Sequence, residues 1–413
     1  MKKAAVIGIE HRSKTMLDYD LEEIRNLAYS LNVDVTHTLR QHTRQTTPAT
    51  KIGKGKLDEL IQLHAIQDFD YVIFNEELSN TQIRNLEEAL DTAVLDKTLL
   101  ILEIFARHAH TREAMLQVEV AQLKYLRPRL SAMRTSFAQQ QGGIGQKGPG
   151  EKKLELDRRK IDKDIHELEK KLEHIVHVRK SNRRKRRTSP IKNVAIVGYT
   201  NAGKSTLMNT LLKHAELHEP KEVSVKDQLF ATLETSTRRI QFKEKKPFTL
   251  TDTIGFITNL PHELVESFKS TLEEIKEADL LLHVVDFSQP YYLKQIETTE
   301  KVLKELGASE IETIYVFNKI DLVNAVPPPN YNPSVKVSLK TEENIQTLIE
   351  TLHDRLFKDD RVVVFHIPQK DGHIVHTVNE YGEVLDTAYE NDTVRVKARI
   401  SKALRDYLED YLA

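Results

Sequence analysis

The chain is 413 residues long, enough for about two to four domains that each bury a core of their own. It has no cysteine, which excludes a disulfide framework and any cysteine-ligated zinc or iron–sulfur centre, and its formal net charge is only −1. No apolar run approaches the roughly 20 residues that cross a bilayer, and the hydrophobic stretch in MKKAAVIGIEHRSK is too short for a signal peptide, so a cytoplasmic protein without a membrane span is expected.

The near-zero charge hides a segregation. Between Arg107 and Pro190 stand 22 Lys and Arg against 10 Asp and Glu, a net of +12, which leaves the rest of the chain at −13. Lys and Arg that neutralise phosphates release condensed counterions, so this segment reads as a surface for a polyanion, with a merely solvated basic helix as the alternative.

In chain order, residues 1–110 alternate short apolar runs (AAVIGI, VDVTHTL, YVIF) with an amphipathic stretch through Leu21, Ile24, Ala28 and Leu31. That alternation predicts an N-terminal α/β domain with a mainly parallel sheet. The piece IGKGKLDEL at 52–60 sets two glycines and two lysines before a helix, either as a phosphate cradle or as a plain loop.

Residues 111–189 predict a long antiparallel helical hairpin. One stripe runs through Leu116, Val120, Leu123 and Leu130, with Pro128 and the polar stretch that follows at its end. A second runs through Leu154, Ile161, Ile165, Leu168, Leu172 and Ile175, a heptad-like spacing. The connection QQQGGIGQKGPGEKK at 139–153, with five glycines and a proline, is not helical by composition and leaves a tip free to meet a partner or to act as a linker. RKSNRRKRR at 179–187 then reads as a basic linker, phosphate-binding or solvated. Residues 190–358 form a βαβ series whose apolar runs KNVAIVG, DLLLHVVDFS and ETIYVFN suit strands buried on both faces, and residues 359–413 predict a small α+β domain. The fold class expected is therefore α/β and multidomain.

The chemistry concentrates in the βαβ series. GYTNAGKS at 198–205 follows a strand and opens a helix, the context that the phosphate-binding pattern G-x-x-x-x-G-K-S/T requires. The predicted set is Gly198, Tyr199, Thr200, Asn201, Ala202, Gly203, Lys204, Ser205 and Thr206. In it, amides of Asn201 to Ser205 wrap a β-phosphate, Lys204 reaches the β- and γ-phosphates and the Ser205 hydroxyl ligates magnesium. DTIG supplies Asp252, Thr253, Ile254 and Gly255, with Asp252 holding magnesium through water and the Gly255 amide meeting a γ-phosphate.

NKID supplies Asn318, Lys319, Ile320 and Asp321. The Asp321 carboxylate can accept the ring N–H and exocyclic amine of guanine, which adenine does not offer, so GTP is the expected substrate. Asn318 is expected to contact the base and Lys319 to stack along it. SLK adds Ser338, Leu339 and Lys340, with a backbone amide for the guanine oxygen. Between these lies a switch candidate, Phe230, Ala231, Thr232, Leu233 and Glu234. Thr232 is the expected magnesium-closing hydroxyl, with Thr235 and Thr237 as competitors. Phe256 stands where a water-positioning glutamine could be, so slow intrinsic hydrolysis is expected, helped by a partner or by a potassium ion beside Asn201. Lys204, Thr232, Gly255 and Asn201 are thus the catalytic candidates, and Ser205 and Thr232 the metal ligands.

With those residues, the chain resembles the HflX family of translational GTPases over nearly its whole length. The marks are IGKGKLDEL, TQIRNLEEAL followed by LLILEIFARHAHTREAMLQVEVAQLKYLRPRL, GGIGQKGPGE with LELDRR, and FATLETSTRRI with DTIGFI. The resemblance implies an enzyme that binds the 50S subunit, splits 70S or hibernating ribosomes under stress, and is activated by the ribosome. A ribosome assembly or RNA-binding factor using GTP as an occupancy switch is the other reading. It implies that residues 142–150 with Lys147, Lys152 and Lys153 face ribosomal RNA, and that Lys54 and Lys56 are candidates for ATP binding by the N-terminal part. A protein monomeric when free, cytoplasmic and compatible with peripheral membrane association is expected. Two departures, EKKLE after the glycine loop and His108 in IFARHAH, bear on the ribosomal contact and leave the nucleotide chemistry untouched.

Overall fold

The computed structural model describes residues 1–11, 16–43, 46–138, 156, 158–175, 191–218, 230, 235–243, 245–258, 272–390 and 392–413. Two compact units divide the chain, one built mainly from Met1–Val176 and the other mainly from the residues beyond it.

The first unit alternates β1 (Lys2–His11), α1 (Leu17–Ser30), β2 (Val33–Thr43), α2 (Lys54–Gln67), β3 (Tyr71–Phe74), α3 (Asn80–Leu90), β4 (Ala93–Asp96) and α4 (Lys97–His108). Its four strands lie in the order β2-β1-β3-β4, all parallel, and the run from Ala4 to Ile9 is buried on both faces as a covered parallel strand requires. The helix after IGKGK begins at Lys54, one residue after Gly53, so Lys54, Gly55 and Lys56 lie in its first turn rather than in a loop before it.

Helix α5 (Arg112–Ala138) runs on through Pro128. The helix over residues 158–175, α6, pairs with it. Leu116, Val120 and Leu123 pack with Leu168, Leu172 and Ile175, and the ion pairs Lys124–Glu169 at 2.8 Å and Arg127–Asp162 at 2.7 Å run in opposite chain directions, which makes the hairpin antiparallel. The side chain of Leu130, together with Leu154, residues 139–153 and residues 179–187, lies outside the described residues. Asp96 ties the base of α5 down. Fully buried at the end of β4, it caps α4 through the Leu99 amide and accepts from Tyr125 Oη at 2.6 Å and Arg129 at 3.0 Å.

The second unit holds β5 (Lys192–Gly198), α7 (Lys204–Lys213), β6 (Leu217–His218), β7 (Ser236–Gln241), β8 (Phe248–Asp252), β9 (Leu280–Asp286), α8 (Tyr292–Glu305), β10 (Thr313–Asn318), β11 (Ser334–Lys336) and α9 (Ile345–Leu356). Seven strands form one sheet in the order β11-β10-β9-β5-β8-β7-β6, parallel from β11 to β8 and antiparallel beyond it. All seven residues of β9 are buried. Ligands of open α/β sheets sit outside the carboxyl ends of the strands, and here the ends of β5, β8 and β10 deliver Gly198, Asp252 and Asn318 to one rim.

The same unit closes with β12 (Arg361–Pro368), α10 (Gly372–Tyr381), β13 (Glu383–Glu390), β14 (Thr393–Ile400) and α11 (Lys402–Tyr407). Its antiparallel sheet β12-β14-β13 alternates as a one-sided sheet should, with Val394, Val396, Ala398 and Ile400 packed on Ile374 and Val378 of α10.

Candidate functional site

The sharp turn after β5 dictates the geometry. Asn201 takes φ +60° and Gly203 φ +103°, and a Cβ on Gly203 would stand 2.5 Å from Asn318 Nδ2, so no larger residue fits there. Helix α7 starts at Lys204 with no side-chain cap, and because the first N–H groups of a helix lack an intrahelical acceptor its start is a ready site for an anion.

Three polar side chains meet at that helix start. Lys204 is buried, and its Nζ donates to the Tyr199 carbonyl at 2.7 Å. Burial lowers its pKa to about 8, against the opposing pull of Asp252. Ser205 Oγ donates to Asp252 Oδ2 at 2.7 Å. Asp252 is fully buried, its pKa raised by desolvation although Ser205 and Lys204 both counter the shift, and its Oδ1 has no hydrogen-bond partner. Gly255 lies against this group, since a Cβ there would stand 2.8 Å from both Lys204 Nζ and Thr200 Cγ2. A positive charge, a hydroxyl, an incompletely satisfied carboxylate and a helix start together suit a phosphate chain with a hard cation.

The other end of the site is built from NKID and SLK. Asn318 is buried and both ends of its amide are spent, Nδ2 donating to the Ala202 carbonyl at 3.0 Å and Oδ1 accepting the Leu339 amide at 3.2 Å. It is thus a strut between the phosphate turn and the SLK loop, at the end of the site where its base contact was expected. Lys319 adopts φ +64° and its Nζ reaches Asp286 at 2.6 Å and the Asn201 carbonyl at 3.3 Å. Asp321 is exposed, and its Oδ1 accepts from the fully buried Ser338 hydroxyl at 2.7 Å. Gly198, Tyr199, Thr200, Ala202, Thr253, Ile254, Ile320 and Lys340 lie on the same turns and strand ends, and Thr206 in the first turn of α7.

The switch candidates divide. Ala231, Thr232, Leu233 and Glu234 lie outside the described residues. Thr237 is committed to the strand pair, its Oγ1 2.9 Å from that of Thr251, while Thr235 directly precedes β7. Phe230 groups with the first unit, where its ring meets that of Phe105 edge-on at 4.6 Å. Residues 142–150, Lys147, Lys152 and Lys153 are also outside the described set.

Two residues bonded to members of the site went unnoticed in the sequence. Asp286 ends β9 and anchors Lys319; a carboxylate closing an apolar strand, with Ser288 two residues on to cap it, was the available signal. Thr258 is joined to the Tyr199 hydroxyl, and nothing local announces that bond.

Three family models cover most of the chain: GTP-binding GTPase N-terminal over residues 18–106, GTP-binding GTPase Middle Region over 108–186, and 50S ribosome-binding GTPase over 193–319. The chain is 43% identical to a GTPase HflX of Caldanaerobacter subterraneus over 95% of its length and 90% of that protein's. It is 38% identical to a GTPase HflX of Escherichia coli over 86% of its length and 83% of that protein's. The chain belongs to the HflX family of GTPases. A crystal structure of a GTP-binding protein from Sulfolobus solfataricus in complex with GDP superposes with a TM-score of 0.47 at 24% identity, over 87% of this chain and 99% of that one. As an HflX-family member the chain is a GTP-binding GTPase, a GTP hydrolase with the P-loop fold. Among the described residues no helix is long and apolar enough to cross a membrane.

Proposed function

We propose that this site hydrolyses GTP through Lys204, Ser205, Asp252 and Gly255, reads guanine through Asp321, and so governs the hold of the chain on the large ribosomal subunit, separating 70S or hibernating ribosomes under stress. The observation that carries the reading is the junction of a buried ammonium, a hydroxyl and a half-satisfied carboxylate at an uncapped helix start.

The donor set fits magnesium. Asp252 retains an unpartnered buried oxygen and touches Ser205, a carboxylate and hydroxyl suited to a hydrated hard cation. Ser205 and, through water, Asp252 would hold it, with Thr232 as the switch hydroxyl. Bound there, magnesium neutralises charge on the phosphate oxygens.

When GTP binds, the Lys204 ammonium exchanges the Tyr199 carbonyl for phosphate oxygens, and the negative charge restores a pKa that burial had lowered. Water attacks the γ-phosphorus, the bond to the β–γ bridging oxygen breaks, its electron pair leaves with GDP, and the water proton ends on inorganic phosphate. Lys204 and the first amides of α7 stabilise the charge that gathers on the leaving diphosphate, while the Gly255 amide meets the γ-phosphate. Phe256 cannot orient the attacking water, because its ring is apolar and buried against Val197, Leu272 and Leu281. That role falls to the ribosome, while a potassium ion beside Asn201 would offset phosphate charge as an arginine finger does.

Ribosome attachment is supported by the +12 segment of residues 107–190, whose cations suit ribosomal RNA, and by the match of residues 193–319 to a model described as a 50S ribosome-binding GTPase. GTP favours the bound state only by as much as it prefers that state, and hydrolysis removes the preference. A cytoplasmic protein, monomeric when free, accords with this role. GTP turnover measured alone, with 50S and with 70S particles, alongside light scattering of 70S ribosomes, tests the reading. Lys204→Ala should lose turnover by at least about a hundredfold, and deleting residues 142–150 should remove ribosomal stimulation while sparing nucleotide affinity. Ribosome binding without splitting would overturn the splitting role in favour of an occupancy switch.

A further inference from the structure

Tyr199 is the second residue of the phosphate turn, yet its side chain does something no other residue of the turn does. Its hydroxyl accepts the Thr258 amide at 2.8 Å and donates to Thr258 Oγ1 at 3.2 Å. Both residues are buried. Its carbonyl is meanwhile the acceptor for Lys204 Nζ. One residue therefore grips the catalytic lysine with its backbone and the segment beyond Gly255 with its phenol.

That segment is clipped at two further points. Thr200 N–H donates to the Phe256 carbonyl at 2.8 Å, Phe256 N–H donates to the Gly198 carbonyl at 3.1 Å, and together these form a parallel bridge between Tyr199 and Phe256. Phe256 adds an apolar plug, buried among Ala195, Val197 and Ile275. Gly255 lies directly before the clip and against Lys204. Its backbone is thus held beside the lysine from one side by Asp252 on β8 and from the other by residues 256–258.

We propose that Tyr199 is a positioning residue for hydrolysis: its phenol pins residues 256–258 to the phosphate turn, so that the Gly255 amide is already in place when a γ-phosphate arrives. The inference rests on the reading of Lys204 and Gly255 as the γ-phosphate end of the site. A donor fixed in advance does not have to be reorganised at the moment of reaction, so the hydroxyl contributes to turnover and not to the holding of nucleotide. GDP has no γ-phosphate, and its affinity is indifferent to the clip.

Tyr199→Phe deletes the hydroxyl alone and keeps the ring and the carbonyl that serves Lys204. Thr258→Val keeps the amide that donates to the phenol and removes the Oγ1 that accepts from it. Ribosome-free GTP turnover should show kcat of Tyr199→Phe lower by roughly three- to tenfold, with KM and GDP affinity within about twofold of wild type, and Thr258→Val within about twofold throughout. Hydrogen exchange should find the Thr258 amide protected in the wild type and faster in Tyr199→Phe. The proposal is overturned by unchanged kcat in Tyr199→Phe, by a loss of GDP affinity that matches the loss of kcat, or by an equal loss in Thr258→Val. Should Tyr199→Phe fail to fold, an unprotected Thr258 amide in the wild type still refutes it. Absence of turnover in the wild type, or equal use of ATP, would instead sink the underlying site reading.

Discussion

Replacing Asp321 by Asn isolates the base end of the site. The Asp321 carboxylate stands in the middle of a short turn, Ile320–Leu322, and its Oδ1 is fixed by the Ser338 hydroxyl at 2.7 Å, itself buried and also accepting the Thr341 amide at 3.2 Å. A carboxylate aimed in this way offers two acceptor oxygens to the N1–H and the exocyclic amine of guanine. Asn keeps the shape and one acceptor but turns the other into a donor facing the guanine amine. Charge-assisted hydrogen bonds contribute roughly 1.5 to 3 kcal/mol each, so weakening one and setting a donor against a donor at the other should cost about 3 to 4 kcal/mol, or roughly 10² to 10³ in GDP affinity. Xanthine carries a carbonyl where guanine carries that amine, so the same substitution should tighten xanthosine diphosphate. Titration calorimetry of wild type and Asp321→Asn with guanosine, xanthosine and adenosine diphosphates measures both effects, with a thermal melt to check the fold. The reasoning is refuted if Asp321→Asn binds GDP within about threefold of wild type, or if xanthosine diphosphate gains nothing.

Asp360→Ala strands the ammonium of Lys246, only 2% exposed and held by Asp360, and should destabilise the second unit by about 3 to 5 kcal/mol in denaturant unfolding, whereas Lys246→Met with Asp360→Leu should recover most of that loss. A single-variant loss under about 1 kcal/mol would show that water reaches the ammonium. Acid should weaken the fold through two histidines. Burial lowers the pKa of His283 to about 3, with Lys204 adding to the effect, and that of His353 to about 4, with Lys245, Lys246 and Arg399 adding. Both are held neutral, so their contribution is complete above the ordinary histidine value of 6.5 and is lost as pH falls from there through the folded values, because the unfolded chain takes the proton first. His283→Gln should therefore show a shallower stability loss than wild type from about pH 6.5 to 5, the difference being about 2 kcal/mol, and parallel curves would contradict it.

What the sequence disclosed and what it withheld separate by range. The strands KNVAIVG and LLLHVVD were legible because a parallel sheet covered on both faces demands unbroken apolar runs. The phosphate turn was legible because its glycines, lysine and serine are all local. Helix boundaries were less so: α5 passes through Pro128, where local propensity argues for a break, while its side chains pack against α6 and onto Asp96. Long-range polar commitments were invisible. The amide of Asn318 turns to Ala202 and Leu339, 116 and 21 residues away in the chain, and the amide of Lys246 meets His353 across 107 residues. Each bond satisfies a group whose partner only the folded chain supplies.

Those distant bonds also decide where the second unit can flex. Strands β7 and β8 form a hairpin whose open end pairs Ser236 with Asp252, so one strand begins just after the switch candidates and the other finishes on a carboxylate of the phosphate site. Its closed end is sunk. Lys246 is joined to Asp360 and, through its amide, to His353 of α9 at 3.3 Å, while Arg239 on the solvent side reaches Glu380 of α10 at 3.6 Å. An ion pair buried that deeply separates only at a cost of several kcal/mol, and a laddered strand pair bends poorly over five residues. Movement at Asp252 is therefore either absorbed in the DTIG turn itself, where the clip on residues 256–258 opposes it, or shared with the C-terminal sheet through the hairpin.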